Sequence, residues 1–277
     1  MNAQPGDDEP VRIGLALGGG AVRGAAHVGV LDVLDAAGLA PAVIAGTSAG
    51  ALIGALYAAG TGPSEISKVA QALRWSRLIR PARTRRALFA IARLGAFLDD
   101  LLGGRDFDAL DLPFAAVACE LTTGDRVVLR DGPVASAVLA SAAIPGVFPP
   151  VERDGRLLVD GSLVDIVPAG LAREMGADVV VAVDVSGPLP RRPPATLLHI
   201  MVAVSTLPPG GGRLGADADL TLAPAVDEYA FWELSRITEF EDAGRAAAED
   251  AVPLIRSLVA TAAARRAWER TVAPPPQ

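Results

Sequence analysis

The chain has 277 residues, of which 51% are hydrophobic and 21% charged, and this length suits one large α/β domain with a sizeable core. A net charge of -7 excludes a general nucleic-acid binder, because such proteins depend on basic surface. A single cysteine, Cys119, excludes an intramolecular disulfide, and two histidines leave little basis for a histidine metal site. We therefore expect neither a metal nor a cofactor.

The two ends of the chain are predicted to lie outside the folded domain. Residues 1–10 are polar and acidic and lack the basic and apolar parts of a signal peptide, which predicts a disordered tail on a cytoplasmic protein. Prolines interrupt the longest apolar region, residues 134–151, so no membrane-spanning helix is expected. A single domain is predicted over residues 11–270, followed by a proline-rich tail over residues 271–277.

The first 60 residues contain two strand–glycine–helix units. Residues 11–17 and 42–45 are predicted as buried strands, and residues 24–37 and 49–59 as the helices that follow them. Two such units in succession indicate a parallel sheet that is covered by helices.

The remaining chain continues the mixture of strands and helices. The predicted strands are residues 113–119, 126–129, 157–159 and 179–185, of which the first two form a hairpin through residues 123–125. The predicted helices are residues 134–143 and 240–270, and surface connections are expected at residues 188–194 and 207–215. These elements predict an α/β fold, a three-layer sandwich with a mainly parallel central sheet.

An arginine-rich segment reverses the charge of the chain. Residues 74–93 hold seven arginines and no acidic residue, with hydrophobic side chains such as Trp75 and Phe89 among them. This composition is typical of a peripheral contact with anionic lipid, and equally of a solvated helical face that offsets acidic charge elsewhere. Both interpretations remain open from the sequence.

The sharpest local pattern is Gly-Thr-Ser-Ala-Gly at residues 46–50, between a predicted strand and a predicted helix. A nucleophile at the tip of such a tight turn has a strained backbone, and side chains two positions before and after it would collide. The pattern therefore indicates Ser48 as a nucleophile, supported by Gly46 and Gly50, in preference to a plain turn.

A second pattern, Gly-Gly-Gly-Ala-Val-Arg-Gly at residues 18–24, follows the first strand. Its backbone N–H groups are suited to bind negative charge, either a phosphate or the oxyanion of a tetrahedral intermediate. The residues after Gly24 exclude a P-loop, and the glycine spacing fits a dinucleotide site poorly. A tight turn with close helix packing explains the glycines equally well.

A serine nucleophile needs a base, and the sequence offers several. His27 lies among small residues, which favours a packing or capping role, and His199 lies among apolar residues, which favours a buried structural role. The chain order Ser48, Asp160, His199 is nevertheless that of α/β-hydrolase triads. Asp160, at a strand end before Gly161, would itself act as the base if it reached Ser48, although an Asp-Gly turn is common.

These patterns together resemble the patatin-like phospholipase family, in its bacterial branch related to neuropathy target esterase. The matching stretches are residues 18–24, 46–50, 141–150, 160–162 and 175–185. The resemblance implies a patatin-like fold and a Ser–Asp dyad, with Ser48 as nucleophile and Asp160 as general base. It also implies an oxyanion hole formed by the N–H groups of Gly18, Gly19, Gly20 and Ala49. Two further residues would support this hole: Arg23, behind the glycine loop of residues 18–24, and Gly161, beside the base.

Two positions depart from the family pattern. Ser162 stands where the family has glycine or alanine, which adds a hydroxyl beside the base, and Asp165 replaces an amide at a position that bears on substrate placement. The expected activity is hydrolysis of a phospholipid, lysophospholipid or related lipid ester through an acyl-enzyme. A non-catalytic adaptor and a nucleotide-binding protein are the alternatives, and the intact Ser48 and Asp160 argue against the adaptor.

Overall fold

The computed structural model describes residues 10–72, 80–82, 87–187, 196–205, 207, 215–226 and 233–272. Nearly all of the predicted N-terminal tail, residues 273–277, the predicted connection at residues 188–194 and most of that at residues 207–215 lie outside the described residues. So do Trp75 and five arginines of the arginine-rich segment, Arg74, Arg77, Arg83, Arg85 and Arg86.

Strands and helices alternate along most of the chain. The strands are β1 (Ile13–Leu17), β2 (Val43–Thr47), β3 (Arg80–Pro81), β4 (Phe89–Ala90), β5 (Phe114–Glu120), β6 (Arg126–Leu129), β7 (Val151–Arg153), β8 (Arg156–Asp160), β9 (Val179–Val183) and β10 (Leu220–Leu222). The α-helices are α1 (Ala26–Ala36), α2 (Ala49–Ala58), α3 (Pro63–Ala72), α4 (Ala92–Leu101), α5 (Val134–Ser141), α6 (Ala169–Glu174), α7 (Leu197–Ser205) and α8 (Ile237–Val272). Short 3-10 helices span Ala21–Ala25, Phe107–Ala109, Gly161–Leu163 and Leu234–Arg236.

The central sheet is mostly parallel, as predicted. Its strand order is β10-β9-β1-β2-β5-β8-β7, and β6 also pairs with β5. The pairs from β10 to β5 are parallel, whereas β6 and β8 run antiparallel to β5 and β7 runs antiparallel to β8. The predicted fold class and the predicted hairpin between the strands now labelled β5 and β6 are therefore confirmed.

Helices cover both faces of this sheet, which makes three layers. Leu15 and Leu17 of β1 belong to a core shared with α1, α2 and α8, whereas Ala16 belongs to a second core shared with α6. Strands buried on both faces are apolar throughout, and this explains the near-continuous apolar runs of β1 and β9. Among the described helices, none combines the length and the apolar character needed to cross a bilayer.

Candidate active site

Ser48 lies at a sharp turn between β2 and α2. Its φ of 53° and ψ of -116° place a non-glycine residue in a strained backbone conformation. A Cβ atom on Gly46 would lie 2.7 Å from Cα of Ala51, and one on Gly50 would overlap the carbonyl of Leu17. Glycine is therefore required at both positions, and the strained turn predicted from the sequence pattern is present.

Sheet order brings Asp160 to this turn. β5 lies between β2 and β8, where Val117 pairs with Thr47 on one side and Ala118 pairs with Asp160 on the other. The hydroxyl of Ser48 donates to Oδ2 of Asp160 at 2.7 Å, and both side chains are buried. Because this contact is direct, no imidazole stands between the two groups.

Neither histidine takes part in the hydrogen bond between Ser48 and Asp160. His199 is half-buried on α7. His27 is fully buried on α1, where its Nε2–H donates to the carbonyl of Gly18 at 2.8 Å. Burial lowers the pKa of His27 to about 4, so the ring is neutral near pH 7. The local packing role predicted for His27 is therefore the one found, and this role fixes the glycine loop.

Burial raises the pKa of the Asp160 carboxyl to about 6. Hydrogen bonds from the Ser162 N–H, the Ser48 hydroxyl and the Ser162 hydroxyl oppose this shift, in that order. The Ser162 N–H donates to Oδ1 at 2.9 Å, which leaves Oδ2 to Ser48. Asp160 is consequently ionised at neutral pH with a proton affinity suited to a general base.

Two of the four N–H groups predicted to form the oxyanion hole already have acceptors in the structure. The N–H groups of Gly18 and Gly19 donate to the carbonyls of Val183 and Ile166, each at 3.0 Å, so these two predicted donors are already engaged. For the N–H groups of the other two, Gly20 and Ala49, no acceptor is found among the described residues. The acceptors of Gly18 and Gly19 lie on the neighbouring strand and loop, a pairing that a local sequence pattern does not encode.

Arg23 and Gly24 connect the glycine loop to neighbouring parts of the structure. Arg23 is fully buried and its guanidinium donates to the carbonyl of Ser186 at 2.7 Å. A Cβ atom on Gly24 would lie 2.5 Å from Cβ of Ala49, so the loop packs on the first turn of α2. Arg23 thus connects this loop to the segment that follows β9.

Ser141 is a residue of the site whose role the sequence did not indicate. It is fully buried at the end of α5, where its hydroxyl accepts from the Ser48 N–H at 2.8 Å and donates to the Val117 carbonyl at 2.6 Å. Ser141 therefore ties the turn to β5 and occupies the Ser48 N–H. Its place at the start of the matching stretch, residues 141–150, was the available signal.

Asp165, which replaces the expected amide, directs its side chain toward Arg126 on β6. Oδ2 of Asp165 lies 2.9 Å from Nε of Arg126, and its carbonyl accepts from the Thr47 hydroxyl at 2.8 Å. Burial raises the pKa of the Asp165 carboxyl, and Arg126 opposes that shift. Asp165 thus supports the turn through its backbone, while its side chain pairs with β6.

Comparisons with known proteins converge on one family. The family model described as patatin-like phospholipase matches residues 15–173. An uncharacterized NTE family protein of Mycobacterium bovis is 38% identical over 179 residues, covering 64% of this chain and 49% of that protein. A patatin-like phospholipase domain-containing protein of Caenorhabditis elegans is 36% identical over 183 residues, covering 62% of this chain and 13% of that protein.

A solved structure supports the same fold. VipD from Legionella pneumophila superimposes with a TM-score of 0.64 at 15% sequence identity, covering 90% of this chain and 67% of that one. At so low a sequence identity, the superposition shows that the two folds are similar and nothing more. The chain spans about half the length of the mycobacterial relative that it matches.

Proposed function

Because the chain belongs to the patatin-like phospholipase family, we propose that it hydrolyses carboxylic esters of phospholipids, lysophospholipids or related lipids through Ser48 and Asp160. The observation that carries this proposal is the 2.7 Å hydrogen bond from the Ser48 hydroxyl to the Asp160 carboxylate. It supplies the two groups that acyl transfer needs, a nucleophile and a base within reach of its proton.

The reaction proceeds through an acyl-enzyme. Asp160 takes the proton of Ser48 as Oγ attacks the acyl carbonyl carbon, and the N–H groups of Gly20 and Ala49 receive the negative charge that develops on the carbonyl oxygen. Collapse of the tetrahedral intermediate that this attack forms breaks the ester bond, and the proton on Asp160 passes to the leaving alcohol oxygen. Asp160 then accepts a proton from the water that attacks the acyl-enzyme and passes it to Oγ of Ser48 as the acyl–oxygen bond breaks, which releases the carboxylic acid and restores both residues.

Ester turnover by matched variants tests the dyad. We expect Ser48→Ala to lose activity by more than about 10³-fold, and Asp160→Asn by about 10²–10⁴-fold, because the nucleophile and its base are removed in turn. Ser205→Ala is the control, since among the described residues this buried hydroxyl bonds within its own helix, to the Val202 carbonyl. Full activity of Asp160→Asn would contradict the proposed base.

We further propose that lipid surfaces meet the protein beside the arginine-rich segment. Arg80 is exposed on β3, and the N–H groups of Leu88 and Phe89 donate to the carbonyls of Gly146 and Val147. The loop that holds these carbonyls packs against α7, whose outer face exposes Leu197, Ile200 and Val204. The arginine-rich segment is thus connected through this loop to a helix with exposed apolar side chains, a combination that suits anionic lipid.

A further inference from the structure

The end of α5 contacts both members of the proposed dyad. The Ser48 N–H donates to Oγ of Ser141 at 2.8 Å. Two residues later in the chain, the carbonyl of Ala143 accepts from the Asp160 N–H at 3.0 Å. Ser141 and Ala143 are both fully buried. One short segment therefore holds the backbone of the nucleophile and the backbone of the base.

The central sheet alone does not position the nucleophile against the base. In the sheet, β5 separates β2, which leads into Ser48, from β8, which ends at Asp160. The last pair between β2 and β5 is Thr47 with Val117, one residue before the nucleophile. The Ser48 N–H thus lies beyond the paired part of the strand, and the Ser141 hydroxyl supplies its acceptor.

The direction of the Ser141 hydroxyl is also fixed. It donates its own proton to the Val117 carbonyl at 2.6 Å, so the Ser48 N–H meets a lone pair on Oγ. The same carbonyl packs closely against the residue that follows the base, since a Cβ atom on Gly161 would overlap it. The Val117 carbonyl is thus a common contact of the Ser141 hydroxyl and of the chain that carries Asp160.

The hydrogen bond from Ser48 to Ser141 also opposes the strain of the turn. The φ of 53° and ψ of -116° at Ser48 form a conformation that persists only where its surroundings hold it. Ser48 is only 7% exposed, so loss of the Ser141 hydroxyl would remove the acceptor of a buried N–H group. Rotation of the turn would relieve both penalties, and it would move Oγ of Ser48 relative to the carboxylate.

We propose that Ser141 is a positioning residue: with its neighbour Ala143, it holds the nucleophile within hydrogen-bond reach of the base. This role rests on the proposed dyad and deepens it, because it names the group that keeps Oγ of Ser48 at 2.7 Å from the Asp160 carboxylate. Both sides of the Ser141 hydroxyl are engaged by protein groups, so its effect falls on the chemical step and not on substrate binding.

Crystal structures and kinetics of matched variants test this role. In Ser141→Ala, we expect the distance from Oγ of Ser48 to Oδ2 of Asp160 to lengthen from 2.7 Å to beyond about 3.2 Å. The kcat for an ester substrate should fall about 10–100-fold with KM within about twofold of the wild-type value, because a displacement of about 1 Å is sufficient for such a loss. Ser205→Ala, at another buried serine that ends a helix, should change neither the distance nor kcat.

Two results would overturn this role. One is an unchanged distance between Ser48 and Asp160 in Ser141→Ala, and the other is an unchanged kcat beside a lower melting temperature, as a hydroxyl that only stabilises the fold would produce. If Ser141→Ala does not fold, Ser141→Cys is judged by the same criteria, because its sulfur is a weaker acceptor at the same place. Since the distance is measured without turnover, a protein that hydrolyses no ester would refute the proposed function while leaving the positioning role to be judged by the distance.

Discussion

The Asp160 carboxylate is held in the interior by hydrogen bonds from hydroxyl and N–H groups, and no basic side chain among the described residues pairs with it. Its pKa of about 6 in the folded protein exceeds the ordinary value of 3.8. The folded state therefore binds the proton more tightly than the unfolded state does. The resulting contribution to stability is complete below about pH 4 and is lost as the pH rises through 6.

Asp160→Asn should for this reason stabilise the fold, although it lowers activity. Above pH 7 the substitution replaces a buried charge by a neutral group of similar size, and we expect the free energy of unfolding to rise by on the order of 1–3 kcal/mol. Denaturant unfolding at pH 8 and at pH 5 measures the effect, which should shrink at the lower pH. Asp250→Asn, an exposed aspartate on α8, is the control. A less stable Asp160→Asn protein at pH 8 would contradict this account of the buried charge.

Local patterns in the sequence predicted the residues of the strained turn at Ser48 better than the residues that contact this turn from elsewhere in the chain. The glycines around Ser48 follow from the geometry of one turn, so the pattern was sufficient to predict the strain there. The hydroxyl of Ser141, by contrast, looks like that of any serine in a small-residue segment. Its role depends on which strand lies beside which, because it bonds the Ser48 N–H and the Val117 carbonyl, and that information is absent from any short stretch of sequence.

Two glycines bring α1 and α8 into backbone contact. A Cβ atom on Gly29 would overlap the carbonyl of Glu241, and one on Gly244 would overlap the carbonyl of Ala26. Since α1 carries His27, whose ring bonds the Gly18 carbonyl, this close packing also positions the glycine loop. Helix packing at one face of the sheet is thus connected to the site through a single turn of α1.

Gly29→Ala should loosen that packing. The added methyl group has no space against the α8 backbone, so we expect the free energy of unfolding to fall by about 1–3 kcal/mol, despite the better helix propensity of alanine. Gly62→Ala is a matched control, because a Cβ atom there meets nothing within 4 Å. Thermal unfolding of the two variants compares them, and equal melting temperatures would show that the α1–α8 contact is not tight.

Elements with a strong apolar pattern were predicted and several others were not. The apolar runs of β1, β2 and β9 and the helical spacing after the first two predicted strands were sufficient to place them. The helix α3 has Ile66 as its one buried residue, and α7 buries Val202, Ala203 and Ser205, so each offers few core positions from which a sequence pattern could be recognised. The antiparallel direction of β8 is set by pairing with β5, which its own residues do not specify.

At the scale of the whole molecule, the charge distribution bears on contact with lipid. The chain has a net charge of -7, yet every charged residue between positions 74 and 93 is an arginine. If this segment meets anionic lipid, binding should depend on lipid charge and fall as salt screens the attraction. We expect flotation with anionic vesicles at low salt, and little with neutral vesicles.

A charge reversal tests this contact at a described position. Arg80→Glu should reduce flotation with anionic vesicles, whereas Arg130→Glu, at an exposed arginine outside the segment, should reduce it less. A water-soluble ester measured in parallel shows whether the site is intact. Equal binding to anionic and neutral vesicles would remove the electrostatic argument.

The site is assembled from parts of the chain that lie far apart. Ser48, Ser141 and Asp160 belong to β2–α2, α5 and the end of β8, and they meet because β5 lies between β2 and β8. The sequence supplied Ser48 and Asp160 separately, and the family resemblance supplied their pairing. The strand order explains why that pairing is a direct one.

Labelling of Ser48 by a fluorophosphonate, followed by intact mass spectrometry, tests the dyad most directly. The account predicts one adduct on the wild-type protein and none on Ser48→Ala. Labelling of Asp160→Asn should be at least about 10²-fold slower, while His199→Ala should react at nearly the wild-type rate. Wild-type labelling of Asp160→Asn, together with loss of labelling in His199→Ala, would contradict the account.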